Sequence, residues 1–80
     1  MPLKDSLRDL ASVDLFKEAL KKKPNDPTFH YHLGMAYQKL DQPAAAREQL
    51  KQVLKISPNF TDANTTAADL KKTISDLGGM

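Results

Sequence analysis

Apolar residues recur at three- and four-residue intervals in four stretches of this chain, and proline or glycine punctuates each one. In the first stretch Leu3, Leu7 and Leu10 are followed by Phe16, Ala19 and Leu20, a pattern that predicts a helix over 3–23. Pro2 suits a first turn, where its missing N–H is harmless, and Lys21, Lys22 and Lys23 bring cations to the negative end of the helix dipole. Ser12-Val13-Asp14 are poor helix formers and mark where a break in this helix would fall. Pro24-Asn25-Asp26-Pro27 is a strong turn signal, with Asp26 as N-cap and Pro27 as first residue of the next helix. That helix carries Leu33, Ala36, Tyr37 and Leu40 on one side, with Phe29 and His30 about a turn earlier.

Asp41-Gln42-Pro43 is the next break, because the residue before a proline is pushed out of helical geometry. A third helix, from about Pro43 to Ser57, carries Ala46, Leu50, Val53 and Leu54 on one face, and Pro58 stops it. The last stripe, Ala63, Ala67, Leu70, Ile74 and Leu77, predicts a fourth helix over 61–77, closed by Gly78-Gly79. Gly34 and Ala46 are small residues on the packing stripes of the second and third helices. A glycine inside a helix costs ~1 kcal/mol relative to alanine, so its presence predicts a close approach of two backbones.

The chain also echoes itself. Pro24-Asn25 returns 34 residues later as Pro58-Asn59, and the same shift carries Phe16 to Leu50, Ala19 to Val53 and Leu20 to Leu54. Ser12 goes to Ala46, Lys17 to Lys51 and Lys21 to Lys55. Within that period His30-x-x-Leu33-Gly34-x-x-Tyr37, then Ala46-x-x-x-Leu50, then Pro58 resembles the tetratricopeptide repeat. His30 stands where that family has tryptophan, and Leu50 where it has phenylalanine; Val53 extends the same stripe. The resemblance implies an all-α fold of four helices, antiparallel helical hairpins stacked as a short α-solenoid. Residues 1–80 then form a single domain, with 3–23 a partial preceding repeat, 27–60 a complete repeat and 61–77 a capping helix.

The resemblance also implies a function. In similar proteins the first helix of each hairpin lines a groove that holds a peptide. Carried onto this chain, the groove wall is Thr28, Tyr31, Met35, Gln38 and Lys39, with Asp62, Thr65, Asp69 and Lys72 as the matching wall on the fourth helix. Tyr31 and Met35 would supply apolar contact, Gln38 and Lys39 polar recognition. Chaperone-binding members clamp a C-terminal carboxylate with lysine and asparagine at slots that Tyr31 and Met35 fill here, so that clamp is not expected. The expected function is a non-catalytic scaffold or adaptor binding a protein or peptide partner. The alternative is a structural module that self-associates as a homo-oligomer through a stacking surface left open along Leu3, Leu7 and Leu10.

Composition trims the other classes. A net charge of +2 is too small to point to nucleic acid, and basic residues are interleaved with acids, as in Arg8-Asp9 and Arg47-Glu48. The Lys21–Lys23 run reads as a solvated helix end. With no cysteine there is neither disulfide framework nor thiolate metal site. His30 and His32, two apart on a helix, point in different directions and do not chelate one ion; His30 reads instead as a packed, hydrogen-bonded substitute for the aromatic. Without a phosphate loop, nucleophile elbow or carboxylate pair, no enzyme activity, cofactor or metal is expected. No apolar run reaches the length of a membrane span and no signal-peptide core follows Met1, so a cytoplasmic chain is expected.

Overall fold

The computed structural model describes residues 3–78, with side chains from residue 10 onward. Pro2, the side chains of Leu3 and Leu7, and Gly79, each given a part by the sequence, lie outside the described residues. Helix α1 spans Leu3–Lys22 without a break at Ser12-Val13-Asp14. Val13 is 6 % exposed and packs in one cluster with Leu33 and Ala36. Burying a valine is worth ~1.5–3 kcal/mol, which outweighs the helix-propensity deficit of the segment.

The turn after α1 closes with the Asp26 N–H donating to the Lys23 carbonyl at 3.2 Å. The Asp26 carboxylate then accepts from the Thr28 and Phe29 N–H groups at 2.9 and 3.3 Å. Helix α2 accordingly begins at Pro27 and spans Pro27–Lys39. It ends through Asp41, which takes a left-handed backbone at φ 58°. In that conformation the Asp41 and Gln42 N–H groups reach the Gln38 and Tyr37 carbonyls at 3.0 and 2.9 Å. Helix α3, Pro43–Ile56, starts at the proline, and Gln42 before it is non-helical at φ −118°, ψ 76°.

After α3 the first turn is repeated 34 residues on, with the Phe60 N–H donating to the Ser57 carbonyl at 3.0 Å around Pro58-Asn59. There the two copies part. Where the first has Asp26-Pro27, a cap and a helix-starting proline, the second has Phe60-Thr61. Phe60 has no side-chain oxygen to cap with, and it turns inward instead, 6 % exposed, its ring centre 5.6 Å from that of Tyr31. The expected helix over 61–77 is therefore corrected. Strand β1, Thr61–Asp62, pairs antiparallel with β2, Thr65–Thr66, around a turn in which Asp62 accepts from the Asn64 N–H at 3.0 Å. Ala63 is exposed in that turn rather than buried on a stripe. Helix α4 is Ala67–Leu77, started by Thr66 and Asp69, each of whose side chains accepts from the other's N–H at 3.3 Å. Gly78 ends it with an ordinary right-handed backbone, φ −66°.

The core joins the helices in sequence, α2 packing on both α1 and α3, and α3 on α4 as well. One cluster holds Val13, Leu33 and Ala36, with Phe16, Leu20, Tyr37 and Leu40 around it. The other holds Tyr31, Leu50, Val53, Phe60 and Leu70, with Leu54, Ile74 and Leu77 around it. Between them α2 meets α3 at Gly34, where a Cβ would stand 2.8 Å from Leu50 Cδ2, 3.0 Å from Leu50 Cγ and 3.4 Å from the Ala46 carbonyl oxygen. The close approach expected of Gly34 and Ala46 is therefore present. His30 reinforces it, its Nε2 lying 2.9 Å from the Pro24 carbonyl oxygen and its Nδ1 2.7 Å from the Gln49 side-chain amide. A carbonyl only accepts, so Nε2 carries a proton and donates to Pro24.

Leu50 is fully buried and cannot swing aside cheaply. Gly34→Ala would gain ~1 kcal/mol of helix propensity and lose ~1–3 kcal/mol to overpacking. The expected outcome is a net loss of about 1 kcal/mol in urea titration, and loss of the folded state for Gly34→Leu. Asp41→Gly removes a left-handed strain and should raise stability by about 0.5–1 kcal/mol in the same assay, whereas Asp41→Val should lower it.

Candidate functional site

The faces of α2 follow from its contacts. Gly34 and His30 face α3, and Leu33 and Ala36 face α1. Thr28, Met35 and Lys39 are left exposed on the remaining side, with Gln38 half-buried beside them. Tyr31, expected as an apolar contact on that wall, is 6 % exposed and lies in the cluster with Leu50, Phe60 and Leu70. It belongs to the floor under the wall. The sequence places Tyr31 by helical spacing alone, and spacing carries no sign that Phe60 folds back over it.

The matching wall on the fourth helix is also redrawn. Asp69 and Lys72 lie on α4 and are exposed, but Asp62 and Thr65 face each other across the β1–β2 ladder. Asp69 is held in the capping box at the start of α4. The two walls are thus not a pair of equivalent helices.

The structure joins Met35 and Lys39, marked by the sequence, to residues that the sequence did not place at a site. Between α1 and α2 lies a pocket of about 160 Å³ lined by Ser12, Phe16, His32, Met35, Ala36 and Lys39. His32 stacks on Phe16, with ring centres 5.4 Å apart and planes 15° from parallel, and Phe29 closes on the same ring at 6.3 Å. His30 and His32 do point apart, one to the turn and α3, the other to α1. Which α1 side chain meets His32 depends on how the two helices cross, and no local pattern encodes that.

Charges around the site are sparse. Lys39 stands at the pocket's rim, and Lys17 Nζ lies 6.0 Å from the centre of the Tyr37 ring. The Tyr31 phenol is pushed above the ordinary tyrosine range, first by burial and then by the Asp62 carboxylate. On the α3–α4 flank a broader hollow of about 460 Å³ is lined by Leu54 and Ile74 with charged neighbours, among them the 3.8 Å pair Lys51–Glu48. Arg47, another residue the sequence passed over, tucks its Nε under Gly78 at the end of α4, and that atom is buried with no hydrogen-bond partner among the described residues. Among those residues no cluster of three His, Cys, Asp or Glu side chains is placed to hold a metal ion, and no helix is long and apolar enough to cross a membrane.

The hairpin at Gly34, the repeated proline turn and the 34-residue period together describe a helical repeat. The family model described as tetratricopeptide repeat matches residues 11–71. The chain belongs to the tetratricopeptide repeat family. Comparison with curated proteins and with solved structures gave no match. Tetratricopeptide repeats generally mediate protein–protein interaction and are typically non-catalytic scaffolds. The matched stretch begins in α1 and ends in α4, and it includes the pocket and the open side of α2.

Because the Tyr31 pKa is higher folded than unfolded, its contribution to stability is complete below the unfolded value and is lost as pH rises through the folded one. Stability measured by urea titration from pH 7 to 11 is expected to fall from about pH 10 upward. Tyr31→Phe should flatten that decline.

Proposed function

We propose that this chain is a scaffold or adaptor module that holds an extended segment of a partner protein along the open side of α2. The observation that carries the reading is the placement of Thr28, Met35 and Lys39, exposed together beside a pocket floored by Phe16, His32 and Ala36. Such a surface offers a soft apolar contact in Met35, an aromatic wall in the Phe16–His32 stack and one cation in Lys39. A segment with an apolar side chain for the pocket and an acidic group nearby fits that chemistry. Gln38, half-buried beside Met35 and Lys39, would set its register together with Asp69 and Lys72, which are exposed on α4. Tyr31 supports the surface from below and has no direct contact to offer.

A peptide library displayed on phage and selected against the 80-residue chain tests the reading. Selected peptides are expected to share an apolar anchor near an acidic residue. They should lose at least about tenfold in affinity, ~1.4 kcal/mol, on the double variant Met35→Ala, Lys39→Glu, whose helix content should not change. Peptides that bind both proteins equally would place the contact elsewhere. Tyr31→Ala is unsuitable here, because it opens the core beneath the site.

A further inference from the structure

The 34-residue register supplies an occupied copy of a surface that α1 leaves open. On α3 the flank covered by α2 is Ala46, Gln49, Leu50 and Val53. Ala46, Leu50 and Val53 are 0 % exposed, and Gln49 is half-buried and reaches His30. Shifted back by 34, the same flank of α1 is Ser12, Leu15, Phe16 and Ala19. Leu15 is 69 % exposed there, and the other three are only half-buried. The packing explains the difference, since α3 lies between α2 and α4 while α1 packs on α2.

The pocket obeys the same register. Phe16 and Ala36 on its lining correspond to Leu50 and Leu70, and in the occupied copy those two residues share a cluster with buried Tyr31. The pocket is thus the counterpart of the space that the Tyr31 ring fills one layer on. Its lining is apolar at the base, with Phe16 and Ala36, and is wide enough to take a side chain.

We infer that the flank Ser12–Leu15–Phe16–Ala19, with the pocket at its edge, is the docking site for one amphipathic helix of a partner protein, laid on α1 as α2 lies on α3. The occupied copy states what that helix must carry. It needs a glycine or alanine where it crosses Ser12 and Phe16, as Gly34 crosses Ala46 and Leu50. Three residues earlier it needs an aromatic side chain for the pocket, in the place of Tyr31. Opposite Leu15 it needs an apolar residue, because Leu15 stands where Gln49 gives His30 a polar partner. This site goes beyond the groove on α2, and Leu15 and Ala19 belong to it alone.

The probe is a synthetic peptide of residues 24–42 of this same chain with His30→Leu, which carries Tyr31 and Gly34 at the required spacing and sets an apolar residue opposite Leu15. A lactam bridge between positions 35 and 39, with Met35→Glu in the peptide, holds it helical on the side away from Gly34. Titrated by fluorescence anisotropy against the 80-residue chain, it should bind saturably. Leu15→Glu in the chain should weaken binding at least about tenfold while leaving the thermal melt unchanged, since Leu15 is 69 % exposed. Gly34→Leu in the peptide should abolish binding, and Met35→Ala with Lys39→Glu in the chain should change it less than the α1 variant does. No binding overturns the inference, as does binding that survives the α1 variant, which would mean that the peptide displaces α2. A chain that dimerises alone, becomes monomeric on Leu15→Glu and ignores the peptide also overturns it, by assigning the flank to a second copy.

Discussion

The contact of Gly34 with Leu50 and Ala46 sets the geometry of everything around it. With 2.8 Å from a would-be Cβ to Leu50 Cδ2, no other side chain fits at that point without moving a fully buried leucine. Helix rotation then leaves little choice for the rest of α2. Tyr31, three residues earlier, is swung toward Leu50 and Leu70, and Tyr37, three later, toward the cluster around Leu33. Met35 and Lys39 are turned away from both and reach solvent. The surface available to a partner is therefore a consequence of the crossing, because the residues that are free are those that the crossing does not use.

Much of this was legible because the informative residues act locally. Asp26-Pro27 starts a helix by capping chemistry that needs no neighbour, and Pro58-Asn59 repeats the Pro24-Asn25 turn down to its hydrogen bond. The period of 34 set Phe16, Ala19 and Leu20 in register with Leu50, Val53 and Leu54. Errors arose where a tertiary contact overrode the local pattern. Val13 holds a weak stretch of α1 helical because it is buried from the side. Phe60 sits at the capping position of the second copy and is drawn into the core, so α4 waits for Thr66. The Thr66-x-x-Asp69 capping box was itself present in the sequence, and the apolar stripe beginning at Ala63 hid it.

The groove walls were misjudged for a related reason. Helical spacing assigns Tyr31, Met35 and Gln38 to one strip, but a strip has two edges. Phe60 and Leu70 cover one of them, and the Phe16–His32 stack borders the other. Phe60, Leu70 and Phe16 come from other elements and lie far from the strip in sequence, so periodicity cannot report them. Asp62 and Thr65 were placed on the wall by the same period of 34, which is interrupted between Phe60 and Thr66 because the β1–β2 turn replaces the first turns of the expected helix.

The two ends of the stack differ in chemistry. Helix α4 turns its buried residue Leu70 inward and shows Lys71, Lys72, Ser75 and Asp76 outward. Among the described residues at that end no large apolar side chain is exposed, Ile74 and Leu77 being half-buried, which suits the polar outer face of a helical repeat. At the other end α1 exposes Leu10 and Leu15, 50 and 69 % in solvent, beside half-buried Phe16. Burying one such leucine is worth ~1.5–3 kcal/mol, several times what a solvated lysine face gains from any neighbour. A helix laid on α1 would therefore bury more exposed leucine surface than one laid on the described face of α4, so the two sides of the stack are unequal in what they offer a neighbour.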